Sequence, residues 1–93
     1  MDKRLGVVAI VVESTSAAAE INGILHESAP IIVGRMGIPY RERGLAVISL
    51  IVDGTVEEIN ALTGQLGRVP NISVKTALSR EGHAAARSSK MEE

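Results

Sequence analysis

The chain has 93 residues, enough for one domain near the lower end of the usual size range. Ten basic and eleven acidic side chains nearly cancel, and Tyr40 is the sole aromatic residue. There is thus neither a positive field for phosphates nor a platform for stacked bases, and direct nucleic-acid binding is not expected. Cysteine is absent, which removes disulfides, thiolate metal ligands and a Cys nucleophile and fits a cytoplasmic chain.

Leu5–Val12 is short, β-branched and apolar throughout, as in a central strand buried on both faces. Lys3-Arg4 before it and Ser16-Ala17-Ala18-Ala19 after it loosely imitate a signal peptide, but eight valine-rich apolar residues fit a buried strand better. No run approaches the ~18 apolar residues of a membrane span. Ser14 offers a hydroxyl as a helix N-cap. Ala17, Ile21, Ile24, Leu25 and Ser28 then follow helical spacing, with Glu20, Asn22 and Glu27 on the other side. Pro30 ends that helix or begins the next element, because the residue before a proline is pushed out of the α region.

Ile31 to Tyr40 reads as a second strand and Leu45 to Val52 as a third, joined by the polar loop Arg41-Glu42-Arg43-Gly44. Gly44 suits the positive φ that such loops require. Asp53-Gly54 is expected to close the third strand. Thr55-Val56-Glu57-Glu58 has the form of a capping box, and Val56, Ile59, Leu62, Thr63 and Leu66 mark the inner side of a second helix. Gly67 and Pro70 supply its stop. Ile72, Val74, Thr76 and Leu78 alternate with Ser73, Lys75 and Ala77 in a fourth strand. From Arg80 to Glu93 the pattern dissolves into Ala, Ser, Gly and charges, so residues 1–79 are expected to form the domain and 80–93 a mobile tail. A short helix over Ala84–Arg87 would bury little.

The order β-α-β-β-α-β gives an α+β, ferredoxin-like sandwich: a four-stranded antiparallel sheet with two helices on one face. That topology puts the first and third strands in the centre, and these are the two that are apolar on both sides. With Ala46, Ile48, Leu50 and Val52 toward the helices, Leu45, Val47, Ser49 and Ile51 point the other way. Val7, Ala9 and Val11 join them if the register holds. Four strands ~4.8 Å apart and about six residues long give an open face of roughly 400 Å², about the largest apolar patch a soluble monomer leaves bare. A homodimer or a larger closed oligomer such as a homotetramer is therefore expected, with Val7, Ala9, Val11, Val47, Ser49 and Ile51 in the interface.

The chemically loaded stretch runs from Arg35 to Arg43. Arg35, Tyr40, Arg41 and Arg43 gather at one hairpin, where a guanidinium can bind a carboxylate or phosphate bidentately. Arg35 is expected to face the same way as Ser49 if the hairpin pairs in even register. The plainer alternative is a solvated hairpin tip. Gly64 interrupts the second helix at a cost of roughly 1 kcal/mol relative to Ala, which close approach of another backbone would explain, as would simple tolerance. His26 lies one helical turn from Asn22 and reads as a lone surface histidine, with His83 in the tail. No phosphate loop, Ser-His-Asp set or facing pair of carboxylates can be picked out, so neither an enzyme nor a cofactor or metal is expected.

The segments Arg35-x-Gly37-x-Pro39-x-Arg41-Glu42, Ala61-Leu62-Thr63-Gly64-Gln65-Leu66-Gly67 and Val74-Lys75-Thr76 resemble a family of small proteins described as regulators of iron-only hydrogenase systems. Leu25-His26 is similar but less distinctive. The resemblance implies a ferredoxin-like fold close to ACT domains and to the ligand-binding domain of nickel-responsive repressors. It also implies an oligomeric regulatory module with any ligand at a subunit interface. The histidines and cysteine with which those repressors bind metal are missing, and Glu13-Ser14-Thr15-Ser16 stands where amino-acid-binding ACT domains often have a glycine-rich turn. The repressors' DNA-binding arm is also absent, so a transcriptional role would need a partner protein. The expected function is an oligomeric sensor of a small anionic effector. The alternatives are a structural interaction module, for instance for metalloenzyme maturation, and, last, a small enzyme.

Overall fold

In the computed structural model, which describes residues 2–80, four antiparallel strands lie in the order β2-β3-β1-β4. They are β1 (Lys3–Val12), β2 (Ile32–Tyr40), β3 (Leu45–Thr55) and β4 (Ile72–Leu78), with helices α1 (Ala18–Glu27) and α2 (Val56–Gly67) as crossovers. The two strands without polar alternation are the two central ones, as expected. The tail expected at 80–93, His83 included, lies outside the described residues apart from Arg80.

The register sorts the side chains into two sets. Val12 pairs with Ala46 and Ile72, Ile10 with Ile48 and Val74, Val8 with Leu50 and Thr76, and Gly6 with Val52 and Leu78. These ranks face the helices, where Val8, Ile10, Leu50 and Val52 pack against Ile21 and Leu25 of α1 and Ile59, Leu62 and Leu66 of α2. Cβ direction alternates along a strand, so the residues between them face the other way. Gly6 is required by a close approach: a Cβ there would lie 2.7 Å from the Ala77 carbonyl oxygen and collide with Leu78.

The capping box forms as read. The Glu58 amide donates to Thr55 Oγ1 at 3.1 Å and the Thr55 amide to Glu58 Oε1 at 2.9 Å. Because Thr55 itself starts the helix, β3 runs straight into α2, and Asp53-Gly54 continues the strand instead of closing it. Ser14 caps a 3-10 turn at Thr15–Ala17 that leads into α1. Gly44 has φ +67° at the end of the β2–β3 loop, as its position demands. Gly67 is the last residue of α2 and keeps a negative φ; the left-handed residue after that helix is Asn71, at φ 65°. At Gly64 a Cβ would find nothing within 4 Å, so no close approach among the described residues explains that glycine.

Candidate functional site

Two surfaces stand out, and strand β2 contributes to both. Its pairing with β3 shifts between Ile32 and Gly34: Ile32 lies opposite Val52, yet Gly34 lies opposite Ile51, leaving Val33 as the extra residue of a β-bulge. The bulge changes the parity of everything after it. Arg35 then lies opposite Leu50, and Met36 takes the place opposite Ser49. The expected orientation of Arg35 toward Ser49 is therefore corrected. Its side chain is on the helix side, where Nη2 donates to Asn22 Oδ1 of α1 at 3.2 Å.

Gly37 and Pro39 follow Arg35 on the helix side, opposite Ile48 and Ala46. Pro39 is tolerated because β2 is an edge strand with no neighbour to need its amide. α1 does not close over this corner of the sheet, and a cleft of about 490 Å³ remains. Val12, Ala46, Ile48 and Pro39 line it from the sheet, Thr15, Ala18, Ile21 and Asn22 from the helical side, and Arg35 and Arg41 supply its charge. Among the described residues no Asp, Glu or His lines it, and the one ion pair within 4 Å joins Arg4 to Asp2, far along the chain from the hairpin. The Arg35–Asn22 pair also borders a second, smaller groove holding Leu25, His26 and Ile32. His26 is exposed there, and among the described residues no group of three or more His, Cys, Asp or Glu side chains is placed to hold a metal ion.

The four hairpin residues singled out from sequence therefore separate. Arg35 and Arg41 share the cleft. Tyr40 lies opposite Leu45 on the other side of the sheet, and Arg43 is exposed in the 3-10 turn Arg41–Arg43 without lining the cleft. Sequence reasoning missed the cleft walls Val12, Thr15, Ala18, Ile21, Ala46 and Ile48. Asn22 reads from sequence as part of the polar side of the first helix and as a neighbour of His26, not as part of a site.

The second surface is the open face of the sheet. Ile38, Val47, Val11 and Ser73 form one rank across it, Met36, Ser49, Ala9 and Lys75 the next, and Gly34, Ile51, Val7 and Ala77 a third. By register, Val7, Ala9, Val11, Val47, Ser49 and Ile51 lie on this face. Exposure is 65% at Met36, 53% at Ile38, 44% at Val47 and 39% at Ile51. Charges stand at its margins, with Asp53 opposite Leu5 at one end and Lys75 on the edge strand β4.

Comparison with known proteins places this geometry in context. Residues 4–76 match the TM1266-like family model, described as "Iron-only hydrogenase system regulator, putative". The structure of uncharacterized protein TM1266 from Thermotoga maritima superposes with a TM-score of 0.80 at 34% identity, covering 84% of this chain and 99% of that one. The C-terminal domain of the MgtC protein from Mycobacterium tuberculosis matches with a TM-score of 0.65 at 11% identity, over 87% of this chain and 93% of its own. CPII from Thiomonas intermedia K12, solved with ADP, AMP and acetate, matches at 0.50 and 12% identity, over 85% and 91%. The last two bear on fold alone, which is the ferredoxin-like, ACT-like arrangement. No curated protein matches the sequence. No helix among the described residues is long and apolar enough to cross a membrane.

Proposed function

The chain belongs to the TM1266-like family, and from that premise we propose that it is a self-associating regulatory module, not an enzyme. Its subunits meet through the open face of the sheet, and it responds to a small anionic effector held near Arg35, Arg41 and Arg43. The working unit lies within residues 1–79.

One observation carries the reading: an apolar face, edged by charge, that no element among the described residues covers. Val47, on the central strand β3, is flanked there by Ile38 on β2 and Val11 on β1. Four strands ~4.8 Å apart, each rising ~3.3 Å per residue over seven to eleven residues, span on the order of 500 Å². Two such faces together remove on the order of 1,000 Å² from water before side-chain relief is counted, about the least that a biological interface buries. A second copy is the occupant that fits. The face is self-complementary in its apolar centre, as a two-fold contact requires, and its margin carries both Asp53 and Lys75 for polar rim contacts. Strand β2 serves both functions, since Arg35 points to the cleft while Met36 and Ile38 point to the partner.

A thermal-melt series tests both halves. If the subunits associate, the melting temperature rises with protein concentration. If an effector binds, a panel of carboxylates, amino acids and nucleotides includes at least one compound that raises it further. A melting temperature independent of concentration contradicts the self-association, and a panel without any shift contradicts the sensing.

A further inference from the structure

The cleft between α1 and the β2–β3 hairpin has a one-sided chemistry. Val12, Ile21, Ala46 and Ile48 make its walls aliphatic. Arg35 and Arg41 are its charged residues, and among the described residues no carboxylate lies within ion-pair distance of either. The Arg35 guanidinium directs Nη2 at the neutral Asn22; among the described residues no carboxylate competes for the rest of its fork. Gly37 withholds a side chain at this spot: a Cβ there would meet only Ile48 Cγ1, at 3.8 Å. At about 490 Å³ the space is of the size that holds small molecules.

We propose that this cleft binds a small organic monoanion, an apolar body of about five or six carbons bearing one carboxylate and no amine. The inference rests on the effector reading above and narrows it to a chemical class. The carboxylate lies between Arg35 and Arg41, where guanidinium forks match its two oxygens. The apolar body lies against Ile21, Ala46 and Ile48 in the space left by Gly37. A free amino acid fits poorly, because its ammonium group would enter an apolar lining that offers no carboxylate in return.

Titration of the 15N-labelled full chain with hexanoate, 1-hexanol, leucine and inorganic phosphate, followed by amide resonances, tests the class. Hexanoate is expected to move the amides of residues 15–22 and 35–46, and hexanol and leucine to bind at least about tenfold more weakly. Arg35→Gln is expected to weaken hexanoate by about tenfold or more. Gly37→Leu, which fills the cleft from a position with room for a side chain, is expected to abolish it. Equal binding of hexanol, tighter binding of leucine, or shifts confined to the open sheet face overturns the monoanion inference. In that event phosphate moving the amides of Arg35, Arg41 or Arg43 leaves the broader effector reading intact. If none of the four compounds moves an amide near those arginines, both fail.

Discussion

Leu50 and Ile51 are neighbours in the chain and nearly equal in size, yet Leu50 is fully enclosed and Ile51 is 39% exposed. The same contrast runs the length of the two central strands. On the helix side Val8, Ile10 and Val52 are inaccessible to solvent, while on the open side Val7, Val47 and Ile51 meet it. Composition does not distinguish the faces. What distinguishes them is that both crossovers pack on the same side, so the aliphatic residues of one face complete a core and those of the other are left uncovered among the described residues. Hydrophobic residues on a monomer surface are ordinary when scattered; a continuous rank across three strands points outside the chain.

Truncation of the two neighbours should break this comparison most visibly. Leu50→Ala is expected to cost about 3 kcal/mol by denaturant unfolding, as for a large-to-small change in a closed core. Ile51→Ala should cost about 1 kcal/mol or less for the isolated subunit, and its effect should grow as protein concentration rises, because part of its burial is supplied by the partner. Equal, concentration-independent costs would erase the distinction between the faces. Gly6→Ala comes next, at about 2 kcal/mol, since the added methyl must displace Leu78 or the Ala77 carbonyl on the helix side. Gly64→Ala should give the smallest effect and the opposite sign, a gain of about 0.5–1 kcal/mol, because nothing among the described residues opposes the methyl group. A loss there would mean that the outer surface of α2 is also covered by another subunit, which would favour a tetramer over a dimer.

Much of this was legible in the sequence because it depends on period and chemistry alone. The apolar character of Leu5–Val12 and Leu45–Val52 identified the central strands. The parity of Ala46, Ile48, Leu50 and Val52 gave the faces, and Thr55-x-x-Glu58 marked the start of α2. The site was less accessible to such reasoning. A single extra residue, Val33, reverses every orientation beyond it, so Arg35 turns from the open face to the cleft. Gly34, next to the bulge, was the available sign, since a glycine inside a strand often accompanies one. The cleft walls escaped notice because Val12, Ile21 and Ile48 have the sequence pattern of ordinary core residues. Only the packing of α1 shows that the core stops short of the corner where Arg35 and Arg41 stand.

The central claim is that a second copy covers the open face, and sedimentation equilibrium tests it directly. At micromolar concentration the wild-type chain should give a mass that is a multiple of 9.8 kDa. Val47→Glu places a carboxylate between Ile38 and Val11 on the patch and should return the mass to that of one folded chain, with the monomer fold verified by its far-ultraviolet circular dichroism. A wild-type chain that sediments as a single subunit, or a Val47→Glu variant that stays associated, would contradict the account.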